Sequence, residues 1–207
     1  MDYFMKIVLV GDSGVGKTNL VKRFIDGQVP ENLTNTIAVD FFSKDLMIKN
    51  HSVKVQFWDT AGQEKYRAIA NAYYKNAQGA IIVYEITNRE TFENVSKWLQ
   101  ELNEFGEKGI TVLLIGNKID LKENRQVSFE EGQKIADAKG ALFFETSAKT
   151  NEENSVTKAF DKLISDMLSK IDMEEKSQNS EILTLSQQEN PKFGKNKSSK
   201  NNCCMFG

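Results

Sequence analysis

The chain has 207 residues and a formal net charge of −2, so it lacks the basic field that holds nucleic acid, and no nucleic-acid partner is expected as its main business. Its two cysteines stand side by side as Cys203 and Cys204 and cannot staple a domain, which points to a cytosolic chain. No apolar run approaches the length of a membrane-spanning helix and Met1-Asp2-Tyr3-Phe4-Met5-Lys6 lacks the pattern of a signal peptide, so any membrane attachment is expected to be lipidic.

The first predicted element is a strand over about residues 4–10, ending in the apolar run Ile7-Val8-Leu9-Val10. Gly11-Asp12-Ser13-Gly14-Val15-Gly16-Lys17-Thr18 follows and opens an amphipathic helix over 17–26. This is the strand, loop and helix context in which G-x-x-x-x-G-K-[ST] cradles phosphate. The glycines let the backbone curl so that the N–H groups of Ser13, Gly14, Val15 and Gly16 converge on a polyphosphate, and the helix adds the positive end of its dipole. Lys17 then reaches the β- and γ-phosphates and the Thr18 hydroxyl ligates Mg²⁺.

Thr36 stands in a polar stretch ahead of a strand over 39–48, placed to offer a hydroxyl to Mg²⁺ and an N–H to the γ-phosphate. Lys49-Asn50-His51 reads as a hairpin into a strand over 52–59, which makes the second strand an antiparallel edge on an otherwise parallel sheet. The lone His51 belongs to that turn. Asp59 leaves the end of the third strand, where an aspartate helps hold Mg²⁺; beyond it Gly62 presents its N–H to the γ-phosphate and Gln63 orients the attacking water. A helix over 66–76, a strand over 80–85 and a helix over 90–104 come next.

The strand over 111–117 ends in Asn117-Lys118-Ile119-Asp120, which reads the base. A carboxylate at 120 accepts from guanine N1–H and the 2-amino group; adenine offers neither, a mismatch worth roughly 10⁴-fold. A helix over 128–139 opens with the capping-box pair Ser128 and Glu131. A strand over 141–145 leads to Ser147-Ala148-Lys149, which places a backbone N–H on guanine O6. In the helix over 152–170, Val156, Ala159, Phe160, Leu163, Ile164, Met167 and Leu168 form a core-packing stripe. The alternation predicts an α/β P-loop NTPase, with a six-stranded, mostly parallel sheet, one antiparallel edge strand and five helices on both faces. The domain is expected over residues 1–171.

These five elements, in this order, resemble those of the Ras superfamily of small GTPases, over about residues 4–170. Ile37-Ala38-Val39-Asp40-Phe41, Lys65-Tyr66-Arg67-Ala68-Ile69, Tyr73-Tyr74-Lys75-Asn76-Ala77 and Ile82-Val83-Tyr84-Glu85-Ile86-Thr87 resemble segments diagnostic of Rabs. Tyr66-Arg67-Ala68-Ile69, the spacing from Phe24 to Thr36 and the Cys-Cys-x-x-x ending are most similar to the recycling-endosome subfamily. The resemblance implies a GTP/GDP switch in vesicle trafficking, with Mg²⁺ held by Thr18, Thr36 and Asp59. Hydrolysis is expected to be slow without a GTPase-activating protein, because no arginine in the motifs is placed to finish the transition state. It implies an exchange factor and effectors that dock on Phe41, Trp58 and Tyr73, on a monomer; for Trp58, core packing stays open as the other reading. A GTP-binding scaffold with little hydrolysis is the alternative, disfavoured because Gln63, Thr36 and Lys17 are all present. A P-loop kinase or ATPase is disfavoured by Asp120. Val29, Ala38 and Ser13 depart from common family choices or tune them, touching base contact, effector fit and hydrolysis.

Residues 172–207 turn polar and weakly patterned and are expected to form a disordered, hypervariable tail. Ile182, Leu183 and Leu185 resemble the segment with which Rabs engage their escort protein and dissociation inhibitor; an incidental apolar cluster is the other reading. Lys192, Lys195, Lys197 and Lys200 each contribute about 1 kcal/mol near an anionic leaflet. Cys203-Cys204-Met205-Phe206-Gly207 resembles a substrate for double geranylgeranylation, and two prenyl chains meet the two-signal requirement for stable anchoring. The expected location is the cytoplasmic face of endomembranes (endosome, Golgi or vesicle), with a soluble cytosolic pool.

Overall fold

In the computed structural model, which describes residues 2–29, 36, 39–60 and 73–188, the apolar runs become six strands. They are β1 (Tyr3–Val10), β2 (Val39–Ile48), β3 (His51–Thr60), β4 (Gly79–Glu85), β5 (Thr111–Asn117) and β6 (Leu142–Thr146). They form one sheet in the order β2-β3-β1-β4-β5-β6. β2 pairs antiparallel with β3, and every other pairing is parallel. The antiparallel edge arises where expected, at a two-residue loop in which Lys49 and Asn50 both take positive φ, 49° and 68°. That left-handed pair matches the twist of the strands it joins.

Five α-helices stand among the described residues: α1 (Lys17–Asp26), α2 (Arg89–Glu93), α3 (Val95–Phe105), α4 (Phe129–Lys139) and α5 (Ser155–Gln188). Because strand side chains alternate, the central strands have two buried faces. On one, Phe57 of β3 meets Phe24 of α1 and Phe160 of α5, with ring centroids 5.7 and 5.6 Å away, and the two helix rings stack at 4.7 Å. The predicted α5 stripe is buried along its whole length. A Cβ added to Gly79 would lie 2.6 Å from Met167 Sδ, so α5 presses directly on the start of β4. On the other face Val8, Ile82 and Leu114 of the sheet cluster with Phe92, Leu99 and Ala136 from α2, α3 and α4. Each such buried aliphatic or aromatic side chain contributes about 1.5–3 kcal/mol, which makes the sheet a stiff platform for the loops at its ends.

Three local readings differ from the sequence expectation. The helix predicted over 90–104 breaks at Asn94, whose carbonyl is shared by the N–H groups of Lys97 at 3.0 Å and Trp98 at 3.2 Å; that tightened turn interrupts the ladder between α2 and α3. An unpredicted 3₁₀ turn, Ile119–Asn124, carries the chain away from β5. The last helix starts at Ser155, after a short 3₁₀ turn, and continues to Gln188, past the change in composition at 172 where a disordered tail was expected. No glycine or proline interrupts 155–188, and Pro191 is the first breaker after it. The chain divides into compact units at Ser169 and Lys170. The helix predicted over 66–76 falls, except for its last residues, outside the described residues. The α4 capping box is present as predicted, with Ser128 and Glu131 bonded reciprocally at 3.2 and 3.0 Å.

Candidate functional site

The motifs gather at the carboxyl ends of β1, β3, β5 and β6, the edge at which parallel α/β sheets meet their ligands. The loop after β1 runs so close over β4 that a Cβ on Gly11 would lie 2.3 Å from the Val83 carbonyl oxygen. At Gly16, φ is +100° and a Cβ would lie 2.4 Å from Asn117 Nδ2. That amide is the junction of the site. Asn117 is buried; its Nδ2 donates to the Val15 carbonyl at 2.8 Å, and its Oδ1 accepts from Ala148 N at 3.2 Å and Thr146 Oγ1 at 3.4 Å. One side chain with both a donor and an acceptor thus ties the glycine-rich loop to both loops expected to read the base.

At the base end, Ser147 Oγ donates to Asp120 Oδ1 at 2.6 Å and accepts from Thr150 N at 3.0 Å, which orients the carboxylate. Lys118 adopts φ 70°, and its ammonium reaches Glu85 Oε2 at 2.5 Å. Arg23 of α1 donates from its three nitrogens to the carbonyls of Ala148 at 2.8 Å, Lys149 at 2.7 Å and Gly27 at 2.6 Å. Neither Glu85 nor Arg23 was singled out from sequence.

At the phosphate end, Lys17 is only 6% exposed, and its Nζ donates to the Gly11 and Asp12 carbonyls, both at 2.8 Å. Burial pushes the ammonium down to about 8, against the opposing pull of Asp59 and Asp12. Thr18 Oγ1 lies 2.8 Å from Thr36 Oγ1 and donates to Asp59 Oδ2, which Thr36 approaches at 3.4 Å. The three expected metal ligands therefore converge. Asp59 is fully buried, its carboxyl is raised by desolvation, and its Oδ1 has no hydrogen-bond partner among the described residues. A buried carboxylate oxygen beside two hydroxyls is a hard-oxygen donor set suited to Mg²⁺, and a cation there would offset that desolvation. Phe41, Trp58 and Tyr73 form a contiguous aromatic row, with centroids 5.6 and 5.9 Å apart. Phe41 is half exposed, while Trp58 also carries the Lys6 ammonium 4.5 Å from its ring centroid. Gly62, Gln63, Cys203 and Cys204 lie outside the described residues.

A glycine-rich loop joined through one asparagine to an Asn-Lys-x-Asp segment is the arrangement expected of a P-loop protein of the guanine-nucleotide-binding class. Residues 6–169 match the model of the Ras family. The chain is 48% identical over 166 residues to the Ras-related protein RABA2a of Arabidopsis thaliana, covering 80% of this chain and 76% of that protein. It is 47% identical over 166 residues to Rab2BV of Beta vulgaris, covering 80% and 77%. To YPT3 of Nicotiana plumbaginifolia it is 49% identical over 160 residues, covering 76% and 73%. The chain belongs to the Ras family and is a Rab-type small GTPase, a GTP hydrolase that acts as a switch in vesicle trafficking. Family members bind guanine nucleotides and Mg²⁺ and work with exchange factors, activating proteins, a dissociation inhibitor and effectors. No helix among the described residues is long and apolar enough to cross a membrane.

Proposed function

We propose that this chain binds GTP and GDP with the residues gathered at the sheet edge and hydrolyses GTP with water positioned by Gln63. The convergence of Thr18, Thr36 and the buried Asp59 supports this most directly. In this reading Ser13, Gly14, Val15 and Gly16 wrap the phosphates with backbone N–H groups, Lys17 lies along the β- and γ-phosphates, and Asn117, Lys118, Asp120, Ser147, Ala148 and Lys149 enclose guanine. Thr18, Thr36 and Asp59 hold Mg²⁺, which neutralises charge on the phosphates. Gln63 aligns a water whose oxygen attacks the γ-phosphorus. The bond to the bridging oxygen breaks, its electron pair leaves with GDP, and the water protons leave with inorganic phosphate. Thr36 and Gly62 sense the γ-phosphate, so its loss releases the switches at about 29–41 and 60–76.

An activating protein supplies the missing arginine, worth about 10³–10⁵ in rate in such systems. Effectors read the row Phe41, Trp58 and Tyr73. Residues 1–171 act as the GTPase domain. The tail, 172–207, carries prenyl groups on Cys203 and Cys204, is handled by an escort protein and dissociation inhibitor, and places a monomer on the cytoplasmic face of endomembranes of the recycling-endosome type. Multiple-turnover phosphate release with GTP and with ATP, each with and without Mg²⁺, tests the catalytic part. Release should be specific to GTP and require Mg²⁺; equal turnover of ATP would overturn the base assignment, and no turnover even with an activator would leave the scaffold reading.

A further inference from the structure

Asp12 is the second residue of the phosphate loop, at a position that G-x-x-x-x-G-K-[ST] leaves open. A carboxylate beside a polyphosphate site is electrostatically costly unless its own charge is met by donors. Both of its oxygens are met from another element. Asn94 Nδ2 donates to Oδ2 at 2.7 Å, and Trp98 Nε1 donates to Oδ1 at 2.9 Å. Asn94 is the break between α2 and α3, and Trp98 lies one turn further, so both donors leave the same side of the helix. The residue at the break thus meets the loop through its own amide. The Trp98 ring packs against the apolar cluster beneath α3, which anchors its N–H in place. On its other side, the Asp12 carbonyl accepts the Lys17 ammonium at 2.8 Å.

We propose that Asn94 and Trp98 are positioning residues of the nucleotide site, which fix the course of the phosphate loop by holding the Asp12 carboxylate and, through it, the carbonyl that locates Lys17. The inference rests on the loop being the phosphate site. It gives α3 a part in nucleotide retention through the one motif residue that Trp98 reaches, Asp12.

The test is release of a fluorescent GDP analogue from the full-length protein. Trp98→Phe keeps a ring in the apolar cluster and removes only the N–H; it should speed release about tenfold, the scale of one lost hydrogen bond to a charged group. Asn94→Ala should act in the same direction and serves if Trp98→Phe does not fold. In an Asp12→Ala background, which lacks the shared acceptor, Trp98→Phe should add little, a non-additivity that marks the pair as coupled. The preference for GDP over IDP, which depends on Asp120 reading the 2-amino group, should stay at its wild-type value. Release from Trp98→Phe within about twofold of wild type, full additivity with Asp12→Ala, or a fall in the GDP preference would each overturn the positioning role. Failure of the wild-type protein to retain the analogue at all would instead overturn the assignment of the loop to phosphate.

Discussion

Lys17 shows how one residue can report on its own site. Its ammonium is desolvated and falls to about 8 from an ordinary 10.5, while Asp59 and Asp12 pull the other way. Because the folded value is the lower one, the unfolded chain holds more protons between those two values. This lysine therefore costs stability below the window, and the cost fades as pH rises through it. Phosphate oxygens favour the charged form, so nucleotide binding should draw a proton onto Lys17 at pH values above about 8. Calorimetry at about pH 9 in buffers of different ionisation heat should show net proton uptake, with affinity falling as pH rises further. Binding with no proton exchange would mean that the phosphates do not meet this ammonium.

Among the elements, α1 spans the site: it starts at Lys17 in the glycine-rich loop and, less than two turns on, its Arg23 holds the carbonyls of Ala148 and Lys149. Arg23→Gln removes a charged fork from three backbone acceptors and frees the loop proposed to face guanine O6. We expect GDP release to quicken about tenfold, with a modest loss of thermal stability; a fluorescent nucleotide chase checks the first and a melting curve the second. Nothing in the sequence marks Arg23, because an arginine on a helix face reads as solvated until the loop 125 residues away is seen to pack beside it. Glu85 was illegible for the same reason, its partner Lys118 being brought near only by the pairing of β4 and β5. The strands were legible because parallel strands buried on both faces are unbroken apolar runs, and the convergence of Thr18, Thr36 and Asp59 because the chemistry expected of them dictates their spacing. The break at Asn94 was not, since the apolar period runs through it unchanged and the turn shows only in the carbonyl that Lys97 and Trp98 share.

For the molecule as a whole, the proposed division of labour separates nucleotide chemistry from membrane residence. Two prenyl chains gain about 0.8 kcal/mol per buried CH₂, against about 1 kcal/mol for each tail lysine near an anionic leaflet. Replacing Cys203 and Cys204 together by serine should therefore release the protein from membranes in cell fractionation and leave GTP affinity unchanged. Mass spectrometry of the wild-type chain should find both cysteines lipidated, and a double variant that still sediments with membranes would sink the anchor. The nucleotide domain allows no such separation between its own halves. A side chain at Gly16 would strike the Asn117 amide, and loss of that amide would strand the Val15 carbonyl. A change at either position therefore unsettles the loop that carries the other, so these two loops can be altered only together.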